Sequence, residues 1–149
     1  MSITSKKDTQ DTENTPIVNN LDRIFFLDVM SVENFINFSG RASVILDPLY
    51  FGGGNSFHES MFYGTPAVSK PTEYLKSKVI EGAYKQMGIK DAPIVNSSEE
   101  YIDKAIEIAN LPPNKLLEMK IRYREAANKN LFENKKYINE LEEFLTSLF

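Results

Sequence analysis

The apolar residues of this chain fall into short continuous runs, and segments with helical periodicity separate the runs. The runs lie at positions 24–27, 44–46, 67–68 and 94–95. The helical patterns extend over 31–38, 56–63 and about 77–87, and the last stops at Gly88, a residue type that commonly ends helices. Strands that are apolar on both faces and alternate with helices form parallel sheets with right-handed crossovers. The pattern therefore predicts an α/β fold, half of a doubly wound parallel sheet.

The last third of the chain has only helical patterns. Ser97 and Glu100 form a capping box, which starts a helix that ends at Asn110, before the Pro112-Pro113 pair. The helical spacing places four of its residues inward: Tyr101, Ala105, Ile108 and Ala109.

Two more helices are predicted after the proline pair. The first begins with Leu116, Leu117 and Ile121, and we expect its Arg122 and Arg124 to lie on a solvated face. The second, near Lys135 to Phe149, has four apolar residues at helical spacing: Ile138, Leu141, Leu145 and Leu148. We favour core packing for this apolar face, and the alternative is a surface that meets a partner.

Composition indicates one domain after a polar leader. Residues 1–20 contain few large apolar side chains, so this segment cannot offset the entropy of ordering and is predicted to be a disordered leader. Residues 21–149 are enough for a single domain with a real core.

Charge and residue usage exclude several classes of function. The net charge of −4 argues against a nucleic-acid partner, which normally requires clustered Lys and Arg. The chain has no Cys and one His, which excludes disulfides and a Cys/His zinc site. No apolar run is long enough to span a membrane, and the first twenty residues lack the apolar centre of a signal peptide. We therefore expect a cytoplasmic protein with no membrane partner.

The segment 46–66 carries the candidate chemistry. It is typical of a strand end followed by three glycines, Gly52 to Gly54, then a short helix and a tight turn. Glycines let backbone N–H groups approach an anion, and Asn55 and Ser56 lie where a helix N-terminus presents free donors. Glu59 follows one turn later, within reach of ribose hydroxyls. The pattern fits neither G-x-x-x-x-G-K-[ST] nor G-x-G-x-x-G, so the residues alone leave a phosphate cradle and a flexible loop equally open.

The wider string resembles the carboxy-terminal half of the O-GlcNAc transferase family and its bacterial relatives, which are glycosyltransferases of the GT-B fold. The resemblance covers about 22–149. The segments that carry it are Leu46-Asp47-Pro48, Gly52-Gly53-Gly54-Asn55-Ser56, Glu59, Gly64-Thr65-Pro66, Ala67-Val68-Ser69, Leu75, Lys78-Val79, Tyr84-Lys85-Gln86-Met87-Gly88-Ile89 and Glu99-Glu100-Tyr101. It implies a Rossmann-like, nucleotide-sugar-binding half-domain of a GT-B enzyme, with helices at its C-terminal end.

The resemblance also implies a site for a UDP-sugar, with no metal needed because loop donors neutralise the diphosphate. The matching residues are Gly53, Gly54, Asn55 and Ser56 for the diphosphate, Glu59 for the ribose, the turn from Met30 to Phe35 for the base, and Lys78 along the donor cleft. A surface salt bridge is an equal alternative for Lys78. Animal members carry Lys and His where this chain has Val32 and Phe35, so base binding here would depend on packing and backbone hydrogen bonds.

Two neighbouring residues have simpler interpretations. Asp47 stands at a strand end, where capping of the glycine loop is a better expectation than a chemical role. His58 is the only His; it could donate to a phosphate oxygen, although we favour solvent exposure.

The implied reaction is transfer of N-acetylglucosamine from a UDP donor to a protein hydroxyl. A GT-B active site lies between two domains, and the family's amino-terminal half, with its candidate base, has no counterpart in these 149 residues. We expect this chain to need that half for activity. The alternatives are a non-catalytic remnant that binds a nucleotide or a partner, and a fragment of a longer enzyme.

Overall fold

The computed structural model describes residues 23–148. The predicted leader therefore lies outside the described residues, and so does Phe149. The elements in chain order are α1 (Val32–Ser39), β1 (Ile45–Leu46), α2 (Asn55–Ser60), β2 (Ala67–Val68), α3 (Val79–Met87), α4 (Ser98–Ala109), α5 (Pro113–Asn130) and α6 (Lys136–Thr146), with a 3-10 turn at Leu75–Ser77 before α3. No helix among the described residues is long and apolar enough to cross a membrane.

A small parallel sheet lies at the centre of the domain. β1 pairs with β2 in the register Ile45 to Ala67 and Leu46 to Val68. A parallel bridge between Ser69 and Ile94 adds a third segment on the far side of β2. The predicted parallel sheet with helical crossovers is confirmed, although its regular strands are only two residues long.

The apolar run 24–27 is not a strand in this structure, so that prediction is wrong. Phe25 is 80% exposed and Phe26 is 96% exposed. Within residues 23–148, no backbone hydrogen bond joins this run to β1, whose only strand neighbour there is β2. An apolar run shows that a segment favours burial, but it does not show which surface buries it.

The main core lies between α2, β2, α3 and α5. Its buried residues are Phe57, Met61, Ala67, Ile80, Ala83, Tyr84, Met87, Tyr123 and Ala127. The ring of Tyr84 meets those of Phe57 and Tyr123 edge to face, with centroids 5.2 and 5.5 Å apart. Its hydroxyl accepts from the N–H of Ala67 and donates to the carbonyl of Ala67, which holds α3 against β2. A second cluster joins β2 to α4 through Val68, Val95 and Ile108.

The helix ends follow the sequence signals. Gly88 ends α3 in the left-handed conformation at φ 75°. Ser97 accepts from the N–H of Glu100 at the start of α4. α5 begins at Pro113, three residues before the predicted start at Leu116, because proline is well suited to the first helical position. Arg122 lies on an exposed face, as predicted, and pairs with Asp91. Ala109 was predicted to face inward and is exposed, because it is the last residue of α4 and lies one position beyond the buried Ile108.

The apolar face of α6 is exposed, so the expectation of core packing is wrong. None of the residues of α6 is buried. The four residues of the predicted face, Ile138, Leu141, Leu145 and Leu148, are between 47% and 59% exposed. Helical spacing shows that these side chains share a face, and nothing in the spacing shows what covers that face.

A close contact fixes α5 against the turn that precedes β2. Gly64 has φ 68°, and a Cβ there would lie 1.9 Å from the carbonyl oxygen of Lys120. The side chain of Lys120 reaches across the domain, and its Nζ donates to the carbonyls of Gly40 and Ala42 at 2.8 and 2.6 Å. The end of α1 is therefore tied to α5 directly.

Candidate functional site

Asp47 organises the segment that we call the glycine loop, Gly52 to Gly54. The side chain of Asp47 is 3% exposed at the end of β1. Its Oδ1 accepts from the N–H of Gly53 at 2.7 Å, and its Oδ2 accepts from the hydroxyl of Ser69 at 2.5 Å. The predicted cap of the loop by Asp47 is therefore present as a direct hydrogen bond.

Two further sets of hydrogen bonds stabilise Asp47 in this position. Ser69, at the end of β2, is itself fixed by backbone hydrogen bonds to Pro93 and Val95. The hydroxyl of Tyr101, on α4, donates to the main-chain carbonyl of Asp47 at 2.8 Å. Burial and, secondarily, the charge of Asp47 raise the pKa of Tyr101, so this hydroxyl remains a donor at neutral pH.

The glycine loop divides its N–H groups between the protein and solvent. The N–H of Gly52 donates to the carbonyl of Lys76 at 3.0 Å, and that of Gly53 donates to Asp47. Within the part of the chain that the structure describes, the N–H groups of Gly54, Asn55 and Ser56 donate to no protein group. These three are the first N–H groups at the start of α2, where a helix leaves its donors unpaired. The loop thus leaves a row of free donors beside the sheet.

The predicted polar contacts lie close to these donors. Ser56 is exposed in the first turn of α2, and Glu59 is half-buried three residues later, a spacing that puts both on one face. His58 is not simply solvent-exposed: it is half-buried, and its Nδ1 lies 2.9 Å from the carbonyl oxygen of Gly54. That nitrogen therefore donates back to the loop.

The candidate base turn lies at the N-terminal end of α1. Ser31 caps α1, and Met30 lines a cleft of about 330 Å³ with residues of α1. Phe35 is half-buried one turn further along α1. The hydrogen bonds between α1 and the α2–β2 region lie at the opposite end of α1, from Tyr63 to Asn37 and from Thr65 to Ser39. The described contacts therefore do not bring Met30 or Phe35 against the glycine loop.

Lys78 is exposed and lies just after the 3-10 turn at Leu75–Ser77. The carbonyl of Lys76 in this turn holds Gly52, so Lys78 follows two residues after a direct contact with the glycine loop. Within residues 23–148 its side chain has no ion-pair partner, which leaves its ammonium group exposed to solvent.

Sequence reasoning missed Ser69 and Tyr101, the two residues whose hydroxyls donate to Asp47. Ser69 could have been noticed as a hydroxyl that follows directly on a buried apolar strand, at the edge where ligands of parallel sheets lie. Tyr101 gave no such signal, because the contact joins residues 54 positions apart and helical spacing marks it only as inward-facing.

A comparison with protein families decides the assignment. The profile described as Glycosyl transferase family 41 matches residues 6–141. The chain belongs to this family. The predicted relationship to the O-GlcNAc transferases is thereby confirmed.

Two curated relatives of this family 41 chain carry related names. The chain is 30% identical over 122 residues to "Probable UDP-N-acetylglucosamine--peptide N-acetylglucosaminyltransferase SEC" of Arabidopsis thaliana, a match that covers 81% of this chain and 12% of the relative. It is 24% identical over 128 residues to "UDP-N-acetylglucosamine--peptide N-acetylglucosaminyltransferase" of Caenorhabditis elegans, covering 85% of this chain and 11% of that relative. The family 41 chain thus spans about a tenth of the length of these relatives.

A solved structure shares the fold. The O-GlcNAc transferase of Thermobaculum terrenum, as its K341M mutant, superposes with a TM-score of 0.73 at 19% sequence identity. The match covers 83% of this chain and 24% of the solved one. The fold is therefore a Rossmann-like half-domain of the GT-B type, as the resemblance implied, and it agrees with the half of a doubly wound sheet that the strand and helix pattern predicted.

Proposed function

We propose that the chain is the donor-binding part of a family 41 glycosyltransferase and that the glycine loop binds the diphosphate of a UDP-sugar. The observation that carries the proposal is the row of free N–H groups from Gly54 to Ser56, next to the capped Gly53. The names of the curated relatives supply the nucleotide and sugar, UDP-N-acetylglucosamine, and a peptide acceptor.

The local electrostatics suit an anion. Unpaired N–H groups at a helix start carry the positive end of the peptide dipoles. The carboxylate of Asp47 lies beside the loop, and hydrogen bonds from Gly53 and Ser69 occupy one of its oxygens each. A diphosphate would meet the N–H groups of Gly54, Asn55 and Ser56 and the hydroxyl of Ser56. Glu59, on the same face, would accept hydrogen bonds from ribose.

The same donors give the site its part in the reaction. When a sugar leaves UDP, negative charge grows on the departing diphosphate, and prearranged N–H donors stabilise that charge. The proposed reaction transfers N-acetylglucosamine to a Ser or Thr hydroxyl of a protein and needs no metal at this site. The acceptor and the base that removes its proton would lie on the amino-terminal half of the enzyme.

Ligand titration tests the site. We expect UDP to shift the amide NMR signals of Gly54, Asn55 and Ser56 and those of the Met30 turn, and to bind better than ADP, whose larger base the Met30 turn would have to hold. Weak binding is expected because one wall of the site is missing. Shifts restricted to α4–α6, or equal responses to UDP and ADP, would contradict the proposed site.

A further inference from the structure

The cap of the glycine loop extends through three layers of the domain. The N–H of Gly53 donates to Asp47, the hydroxyl of Ser69 donates to the other carboxylate oxygen, and the hydroxyl of Tyr101 donates to the main-chain carbonyl of Asp47. These residues lie on the loop, β1, β2 and α4, so the loop is fixed by elements that would not touch the ligand.

The burial of this network makes its geometry specific. Asp47 is 3% exposed and Ser69 is fully buried. A buried carboxylate is costly unless hydrogen bonds satisfy its oxygens, so any movement of the loop that frees Asp47 from Gly53 is opposed. A carboxylate also repels an anion, so its presence beside these donors has to be explained by the hydrogen bonds it accepts.

We propose that Asp47, supported by Ser69 and Tyr101, is a positioning residue that fixes the glycine loop in the shape that receives the diphosphate. This inference rests on the proposed function for the identity of the ligand. Asp47 accepts from the N–H of Gly53 and so fixes the loop in a conformation in which the next three N–H groups have no acceptor among the described residues. The role is geometric, and the charge of Asp47 is incidental to it.

If the role of Asp47 is geometric, two substitutions at this position should have different effects on ligand binding. Asp47→Ala removes both side-chain hydrogen bonds, whereas Asp47→Asn keeps an oxygen for Gly53 and offers an N–H to Ser69 without the charge. We expect Asp47→Ala to weaken UDP and pyrophosphate binding by more than about tenfold, since two buried hydrogen bonds are lost. Asp47→Asn should recover most of that loss. A loss as large in Asp47→Asn as in Asp47→Ala would overturn the geometric role.

The supports can be tested without touching Asp47, in case Asp47→Ala fails to fold. Ser69→Ala and Tyr101→Phe each delete one hydroxyl, and each should weaken UDP binding roughly 3- to 10-fold. The matched controls are Ser98→Ala and Tyr137→Phe, which delete exposed hydroxyls of α4 and α6. We expect no change in either control.

Amide hydrogen exchange tests, without any ligand, whether Asp47 and its partners hold the glycine loop. In Ser69→Ala and Tyr101→Phe, exchange should accelerate at Gly53, whose N–H donates to Asp47, while the buried amides of α3 and α5 keep their protection. Unchanged exchange at Gly53, or acceleration spread evenly over the domain, would overturn the positioning role. If the wild-type chain bound neither UDP nor pyrophosphate, the proposed function would fail, and the exchange series would still show whether Asp47 holds the loop.

Discussion

At the scale of single residues, the hydrogen bond from Gly53 to Asp47 sets the conformation of the glycine loop. The cap by Asp47 follows from an acidic residue between a strand and three glycines, and it is present. The N–H of Gly53, predicted as a ligand contact, donates to Asp47 instead of facing outward. Which glycine N–H groups are free depends on the backbone path of the loop, and a run of glycines does not encode that path.

The proposed roles of Ser56 and Glu59 can be distinguished by comparing the binding of UDP with that of pyrophosphate. Ser56→Ala should weaken UDP and pyrophosphate alike, because the hydroxyl is proposed to contact the diphosphate. Glu59→Ala should weaken UDP by roughly 1–2 kcal/mol and spare pyrophosphate, which has no ribose. Calorimetric titration of both ligands measures the difference, with Glu142→Ala on the exposed surface of α6 as the control. Equal losses for both ligands in both variants would argue for a collapsed loop instead of two separate contacts.

At the scale of elements, the predictions of helix ends that rest on local sequence signals are confirmed. The predictions of burial, which depend on a surface distant in sequence, are wrong for two segments. Gly88 and Ser97 mark helix ends by local chemistry, and both do so in the structure. The run 24–27 is continuously apolar and the apolar face of α6 has clear helical periodicity, yet both are exposed. Their burial requires a partner surface, which no local pattern specifies.

The contact between Gly64 and α5 gives a prediction about stability. Gly64→Ala should destabilise the domain by about 3–5 kcal/mol, because the residue has positive φ and the new Cβ would overlap the carbonyl of Lys120. Gly82→Ala is the matched control: nothing lies within 4 Å of its Cβ position inside α3. That control should stabilise the domain by about 0.5–1 kcal/mol. Urea unfolding of the two variants tests the contrast, and similar midpoints would refute it.

The exposed apolar face of α6 gives a second prediction about stability. Replacing Leu141 by Glu should change the unfolding free energy of this chain by no more than about 0.5 kcal/mol, because the side chain is already in water. Ile108→Ala, in the buried cluster beside β2, should cost about 2–5 kcal/mol. A large loss in Leu141→Glu would mean that α6 packs on the domain in solution.

At the scale of the whole molecule, the proposed function makes the described domain one wall of a two-domain active site. Holding donor and acceptor in reacting geometry contributes roughly 7–11 kcal/mol in well-oriented systems, and one wall cannot supply it. The only His of the chain is engaged with Gly54 beside the proposed diphosphate site.

We therefore expect the 149-residue chain alone to transfer no sugar. Incubation with UDP-N-acetylglucosamine and a peptide panel should give no glycopeptide above background by mass spectrometry. Activity that appears on addition of a separately produced amino-terminal half, and that Glu59→Ala lowers, would support the proposal. A Glu59-dependent product from the chain alone would contradict this expectation and require either an active site shared between two copies or a different mechanism.

The tie between Lys120 and the end of α1 also bears on the order in which the domain can fold. Lys120 contacts carbonyls 78 and 80 positions earlier in the chain, and Tyr123 and Ala127 of the same helix complete the main core. Contacts so distant in sequence form late, after a long loop has closed. During synthesis, α1, β1 and α2 must therefore wait until α5 has left the ribosome before their core is closed. α6, which buries nothing here, has no part in that step.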